Sequence, residues 1–252
     1  MRFDDRVAVV TGAARGIGLA TAARLGEEGV RILLADVDAD GLEQARAGLA
    51  VDGVDVHAVV ADLSSRDGAA QLCAATLEWA GRLDILVNNA GGGVIRPTLQ
   101  HTEETLRTTI DRNLWTTLYC TLEALPVMQR QGYGRIVNVG AESVRNGLYD
   151  HAIYNAAKGG VHGLTTGLAR EFFADGITVN TVAPSMVVTE AVAHLMELPA
   201  AADALARITA TIPAGRAATM AEVVGLIAFL ASDEASFITG QVISVNGGSS
   251  ML

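Results

Sequence analysis

The sequence predicts an α/β fold in which a seven-stranded parallel sheet carries helices on both faces. Short runs of β-branched residues alternate with longer Ala-, Leu- and Glu-rich segments of helical spacing, an order typical of parallel sheets. Of the 252 residues, 50% are hydrophobic and only 18% are charged, which is enough apolar material for one large core. We therefore expect residues 1–252 to form a single domain.

Seven strand candidates follow one another along the chain. They lie at residues 7–10, 30–34, 54–60, 83–87, 135–139, 177–182 and 241–245. Apolar residues at helical spacing predict helices at residues 16–28, 39–50, 66–80, 102–130, 152–174 and 220–231. Because helices separate the strands, the strands are expected to run parallel.

One segment interrupts this alternation, at residues 184–213. It is apolar and Ala-rich, has helical spacing of its own and follows the sixth predicted strand. Ligands of open parallel sheets bind beyond the carboxyl ends of the strands, so we expect a short substrate lid here. The apolar side chains that the lid would offer include Met186, Val187, Leu195 and Met196.

The charge balance and the cysteines exclude several classes of protein. The net charge is −10 and the isoelectric point is near 4.9, so the surface repels nucleic acids and anionic membranes. Cys73 and Cys120 lie on predicted helices, which indicates two buried thiols rather than a disulfide or a metal cluster. With an acidic N-terminus in place of an export signal, we expect a cytoplasmic protein without a metal site.

A glycine-rich turn follows the first predicted strand and leads directly into the first predicted helix. Its sequence is TGAARGIG at residues 11–18, and Gly12, Gly16 and Gly18 let the backbone approach a pyrophosphate at the helix N-terminus. Asp36 ends the second strand 18 residues beyond Gly18, where a carboxylate can bind an adenosine ribose. Turn and carboxylate together predict a Rossmann fold that binds a dinucleotide.

Two charged residues give opposite indications about which dinucleotide binds. Asp36 would bind the free ribose diol of NAD and repel the 2′-phosphate of NADP. Arg15 argues the other way, because a guanidinium in the turn can pair with that phosphate. Val37 occupies the position at which a second cation would help NADP. NAD is therefore the predicted cofactor and NADP the alternative.

Five ordered motifs resemble those of the short-chain dehydrogenase/reductase family over the whole chain. Besides the glycine-rich turn they are Asp62-Leu63, Asn88-Asn89-Ala90-Gly91, Asn113 on a helix, and Tyr154-Asn155-Ala156-Ala157-Lys158. The segments Ile238-Thr239-Gly240-Gln241 and Asn246-Gly247-Gly248 match the family's last strand and the segment after it. The resemblance implies a homotetrameric NAD(P)-dependent oxidoreductase that acts on a small alcohol, diol or ketone.

The resemblance also assigns residues to the cofactor and to catalysis. The implied cofactor-binding residues are Gly12, Arg15, Gly16, Ile17, Gly18, Asp36, Val37, Asp62, Leu63, Asn89, Ala90, Gly91, Tyr154, Lys158, Pro184, Val187 and Thr189. The implied catalytic residues are Asn113, Tyr154 and Lys158, together with a serine. Ser185 departs from the glycine that the family often has after the proline, which affects the nicotinamide loop without abolishing binding.

The chemistry of Tyr154 and Lys158 also follows from their spacing. Four residues apart on a helix, they share one face, so an ammonium can lie beneath a phenol. A neighbouring cation favours the phenolate, and an oxidised nicotinamide adds another positive charge. Tyr154 can then accept the proton of a substrate hydroxyl while hydride leaves the same carbon, or donate it to a carbonyl in the reverse direction.

The serine is the main departure from the family pattern. It is expected about 13 residues before the tyrosine, but position 141 is alanine. Ser143 would face the same side if the segment is extended, and a bulge or tight turn would bring its hydroxyl into reach. We expect Ser143 to bind the substrate oxygen; Glu142, Asn146 or a water molecule are the alternatives.

Part of the sequence is similar to bacterial cis-dihydrodiol dehydrogenases, some of which act on dihydroxycyclohexadiene carboxylates. The similarity lies in residues 139–148 and 154–163. Arg145 and Arg96 are candidate cations for such a carboxylate, although a solvated loop position is the favoured interpretation of each. Two other functions remain open. The first is a reductase of 3-oxoacyl thioesters or other ketones, and the second is a cofactor-binding regulator that has lost catalysis, suggested by Ala141.

Overall fold

The computed structural model describes residues 3, 5–196 and 199–251, without the side chains of residues 191, 195–196 and 199–204. Leu195 and Met196, two of the predicted lid side chains, therefore lie outside the described residues.

All seven predicted strands form one parallel sheet in the order β3-β2-β1-β4-β5-β6-β7. The strands are β1 Val7–Thr11, β2 Arg31–Asp36, β3 Val56–Val60, β4 Ile85–Asn88, β5 Gly134–Val139, β6 Ile177–Pro184 and β7 Val242–Val245. β3 begins two residues later than predicted, because the amide of Val54 still closes the end of the preceding helix by donating to Leu49 O. The predicted α/β fold class is confirmed.

Helices cover both faces of the sheet. They are α1 Gly16–Glu27, α2 Ala39–Val51, α3 Arg66–Ala80, α4 Glu103–Ile110, α5 Thr116–Gln131, α6 Ser143–Asn146, α7 Ala152–Phe172, α8 Glu190–Met196, α9 Pro199–Ala210 and α10 Met220–Ala231. Successive side chains of β1 point to opposite faces, so Ala8 and Val10 pack with α1, α2 and α10. Val9 packs on the other side with α3, α5 and α7.

The helix predicted over residues 102–130 is divided by one turn of π-helix, at Asp111–Trp115, which lies between α4 and α5. Hydrophobic spacing could not show this, because the apolar face continues across the wider turn. Asn113 lies in this turn and is completely buried. Its side-chain amide donates to Thr109 O and Gly92 O, which fixes the chain that follows β4.

A buried polar cluster attaches α7 to the centre of the sheet. Asn138 on β5 accepts from Asn88 on β4 and donates to Thr165 on α7. The Thr165 hydroxyl lies 2.6 Å from that of Thr181 on β6. Because these side chains are buried and specific in their geometry, they set where α7 lies above the sheet.

The strand order reverses between β1 and β4, which opens a crevice at the carboxyl edge of the sheet. The segment at residues 184–213 lies at this edge and contains α8 and α9, in agreement with its helical spacing. Within the described part of the chain, each helix is too short or too polar to cross a membrane.

Candidate active site

Two cavities at the carboxyl edge of the sheet form one long groove. The larger, about 750 Å³, extends from the glycine-rich turn to Asp36. The smaller, about 410 Å³, extends from β5 over α7 towards α9. Ile17, Asn89, Gly91 and Thr189 line both cavities. A ligand with an extended middle part and two ends therefore fits this groove.

The glycine-rich turn needs glycines for two different reasons. Gly12 and Gly16 have φ of +62° and +60°, a region that favours glycine. At Gly18 a Cβ would lie 2.2 Å from Gly12 O, which no side chain tolerates. Asn89 stabilises the turn from β4, because its side-chain amide donates to Thr11 O and Gly12 O.

Open space lies beside the turn where a phosphate would bind. A Cβ built on Gly16 would meet only Thr189 Cγ2, at 3.9 Å. Helix α1 begins at Gly16 without a side-chain cap, and the positive end of a helix dipole attracts anions. The residues present therefore fit the pyrophosphate of a dinucleotide.

The far end of the larger cavity is built around Asp36. Its carboxylate accepts hydrogen bonds from the backbone amides of Ala14, Val37 and Asp38. Arg15 does not approach Asp36 as a free cation, because its guanidinium pairs with Asp38 Oδ2 at 3.2 Å. This part of the groove thus presents carboxylates.

The remaining predicted cofactor residues lie along the same groove. Asp62, Leu63 and Ala90 line the larger cavity, and Pro184 and Val187 line the smaller one. The structure therefore brings the whole predicted cofactor-binding set to one edge of the sheet, Gly18 lying just beneath the turn.

Tyr154 and Lys158 lie on α7 and line the smaller cavity. Lys158 is buried and its Nζ donates to Val139 O at 2.7 Å. The same nitrogen lies 6.0 Å from the centre of the Tyr154 ring. Asn113 lies close to Lys158, and Gly91 packs against both side chains. A Cβ on Gly91 would lie 2.8 Å from Asn113 Oδ1 and 3.3 Å from Lys158 Nζ.

Burial dominates the acid–base behaviour of this pair. It raises the pKa of Tyr154 to about 12 and lowers the pKa of Lys158 to about 8. In the chain alone, burial of the phenol thus favours its protonated form. The sequence prediction combined Lys158 with the positive charge of an oxidised nicotinamide, and this combination stays a prediction.

Ser143 lines the cleft with Tyr154 and lies on a tight turn, one of the backbone conformations considered for it. The segment is not extended, because α6 begins at Ser143 and residues 143–146 form a helical turn. Ser143 Oγ donates to Asn155 Oδ1 at 2.6 Å, which fixes the hydroxyl beside the catalytic helix. Ala141, at the family's serine position, is buried.

His162 is a residue that sequence reasoning missed. It lies one turn after Lys158, and its Nε2 accepts from the amide of Ala141 at 3.5 Å. A Cβ on Gly140 would lie 2.4 Å from that nitrogen, so the ring supports the loop after β5 from below. Burial, with repulsion from Arg145 and Lys158, lowers its pKa to about 4.

The substrate end of the cleft is mostly apolar. Leu148, Met186, Leu205, Ile208 and Ile212 line it. Leu205 and Ile208 belong to α9, so the segment predicted as a lid contributes side chains to the cleft. The helical spacing of its apolar residues is the sequence feature that indicated this.

Neither arginine considered as a carboxylate anchor lies in the cleft formed by the described residues. Arg145 is turned towards β7, where it donates to Ser244 Oγ and Val242 O. Arg96 is half-buried and donates to Gln100 O. The structure therefore places neither candidate as a carboxylate anchor, because both guanidiniums are bound elsewhere.

The chain is similar to known oxidoreductases along its entire length. A family model described as enoyl-(acyl carrier protein) reductase matches residues 12–250. A 2,3-dihydroxy-2,3-dihydro-p-cumate dehydrogenase of Pseudomonas putida is 54% identical and covers 99% of this chain and 96% of the relative. The 3-oxoacyl-[acyl-carrier-protein] reductase FabG of Escherichia coli is 34% identical over 100% of both. The crystal structure of a levodione reductase superimposes with a TM-score of 0.92 at 32% identity, covering 98% of each chain.

His162 makes the stability of the fold depend on pH. Its pKa is lowered from 6.5 to about 4, so its contribution is complete above pH 6.5 and is lost as the pH falls towards 4. In the variant His162→Gln we expect a smaller loss of thermal midpoint between pH 7 and pH 4.5 than in the unaltered protein. The exposed His194→Gln serves as the control. An identical pH dependence in all three proteins would contradict the assignment.

Proposed function

The chain belongs to the short-chain dehydrogenase/reductase family, and on this basis we propose that it oxidises a cyclic cis-diol with NAD as the hydride acceptor. One observation carries the proposal: Tyr154, Lys158 and Ser143 meet in an apolar cleft that continues into a dinucleotide groove ending at Asp36. Fold, cleft and groove together support a small organic substrate and a nicotinamide dinucleotide.

The side chains of the cleft have separate roles in this reaction. When bound, the nicotinamide accepts the hydride and contributes positive charge in its oxidised form. Ser143 Oγ holds the reacting hydroxyl, and Tyr154 Oη accepts its proton. Lys158 stabilises the negative charge on the phenol and is itself held by Val139 O. Asn113 keeps Gly92 and the chain after β4 in place beside them.

The arrangement around Asp36 supports NAD rather than NADP. Three backbone amides hold the carboxylate of Asp36, and Asp38 lies next to it along the chain. A 2′-phosphate brought to this end would meet both negative charges, while Arg15 is already paired with Asp38. A ribose diol instead donates hydrogen bonds to a carboxylate.

Two lines of support favour a cyclic diol as the substrate. The apolar lining from α9 and the β6–α8 segment suits a hydrocarbon ring. The relative from Pseudomonas putida is named for a dihydroxy-dihydro-p-cumate, and its identity of 54% exceeds the 34% to the 3-oxoacyl reductase. Reduction of 3-oxoacyl thioesters is the second candidate, favoured by that reductase's full-length match.

The proposed function is tested by following absorbance at 340 nm with both cofactors and two substrate classes. We expect NAD reduction with cis-dihydrodiols of cyclic carboxylates and slower or no oxidation of NADPH by 3-oxoacyl thioesters. Faster turnover of the thioesters would establish the second candidate. Cofactor binding with no turnover of any alcohol or ketone would indicate a regulator instead.

Tyr154→Phe removes only the phenolic hydroxyl and should lower kcat by roughly 10²- to 10⁴-fold, the range for a lost general acid or base. The dissociation constant of NADH, measured by fluorescence, should change little because the ring remains. Turnover within a few-fold of the unaltered enzyme would show that another group handles the proton.

Asp36→Ala should reduce the preference for NAD, because the carboxylate provides both the diol contact and the repulsion of a 2′-phosphate. We expect kcat/KM with NAD to fall and kcat/KM with NADP to rise. Asp40→Ala, an exposed change on α2, is the matched control. If the ratio of the two values is unchanged in Asp36→Ala, Arg15 or another group determines the choice.

Ser143→Ala should lower kcat/KM by about 10- to 1000-fold, the range for one hydrogen-bonding group at a site of developing charge. Adding Ala141→Ser to that variant should restore part of the activity, because the family's geometry places the hydroxyl there. If Ser143→Ala is near neutral, the substrate oxygen is oriented by Glu142, Asn146 or water.

We expect a homotetramer in solution. Trp115 and Leu122 remain exposed in the region of α5, and Trp115 stacks on Tyr119 at 5.2 Å. These side chains form an apolar outer face of the kind that oligomers bury. Sedimentation equilibrium at micromolar concentration should give about four times the chain mass of 26.1 kDa. A single species at the mass of one chain would reject this.

A further inference from the structure

A buried carboxylate borders the substrate cleft without a full set of partners. Glu142 lies between β5 and α6, lines the same cleft as Tyr154 and is only 1% exposed. One carboxylate oxygen, Oε1, accepts a hydrogen bond from Ser250 Oγ in the C-terminal tail. The other, Oε2, is buried and has no hydrogen-bond partner among the described residues.

The neighbouring groups described next do not supply a hydrogen bond to Oε2. The backbone amide of Glu142 donates to Pro184 O, so the residue is fixed in position. Arg145, three residues later, directs its guanidinium to Ser244 and Val242 on β7. Buried polar atoms in native proteins nearly always have partners, and exceptions require an explanation such as a ligand.

The missing partner must be a hydrogen-bond donor. An ionised carboxylate only accepts hydrogen bonds, so a ketone or thioester oxygen cannot satisfy Oε2. A mono-alcohol has one hydroxyl, and that hydroxyl is already engaged by Tyr154 and Ser143 in the proposed reaction. A vicinal cis-diol presents a second hydroxyl on the same face of the ring, next to the reacting one.

We propose that Glu142 Oε2 accepts a hydrogen bond from the second hydroxyl of the substrate and thereby selects vicinal cis-diols over mono-alcohols and ketones. This role rests on the proposed function, because it assumes that Tyr154 engages the first hydroxyl.

The test compares two simple probes, cis-cyclohexane-1,2-diol and cyclohexanol, by NAD reduction. We expect the unaltered enzyme to prefer the diol in kcat/KM. In Glu142→Met, which keeps the length of the side chain but accepts no strong hydrogen bond, the ratio of diol to alcohol should fall about 10- to 100-fold, the value of one hydrogen bond to a charged group. Glu142→Gln should give a smaller fall.

Ser250→Ala is the matched control, because it removes the tail contact to Oε1 and leaves Oε2 intact. We expect the diol-to-alcohol ratio of this control to stay within about threefold of the unaltered enzyme, well below the loss expected for one charged hydrogen bond. If Glu142→Met slows both probes equally, or slows neither, the role assigned to Oε2 is wrong although the proposed function stands. If the unaltered enzyme oxidises neither probe yet reduces a 3-oxoacyl thioester, the proposed function itself fails and this role fails with it.

Discussion

The hydrogen bond from Lys158 Nζ to Val139 O is the interaction on which the site depends. It joins the catalytic helix to the end of strand β5, and it does so with a buried ammonium. A buried cation needs strong acceptors, so α7 cannot shift along the sheet without leaving that charge unpaired. The cluster of Asn138, Thr165 and Thr181 fixes the same helix about two turns further along.

This constraint explains how an acid–base residue can lie in an apolar cleft. Burial in the apolar cleft raises the pKa of Tyr154 to about 12. It lowers the pKa of Lys158 to about 8. Burial by itself therefore favours the protonated phenol. In our account the positive charge of the oxidised cofactor completes the site, which couples proton transfer to the presence of the hydride acceptor and prevents a reactive phenolate in its absence.

Much of this could be predicted from the sequence, because local signals and motif spacing point the same way. The seven strands follow from β-branched runs, and the groove follows from the glycines and Asp36. The side-chain contacts across long sequence distances could not be predicted. Arg145 reaches residues almost a hundred positions away, and Ser143 is oriented by Asn155 from another element. The π-helical turn that holds Asn113 leaves no trace in hydrophobic spacing.

The central claim is that bound oxidised cofactor lowers the pKa of Tyr154. It is tested most directly by titrating tyrosinate absorbance at 295 nm between pH 6 and 10, with and without NAD, in the unaltered protein and in Tyr154→Phe. The account predicts one tyrosine that ionises within this range only in the unaltered protein with NAD bound. No difference between the two proteins in the presence of NAD would contradict it, as would an equal ionisation without NAD.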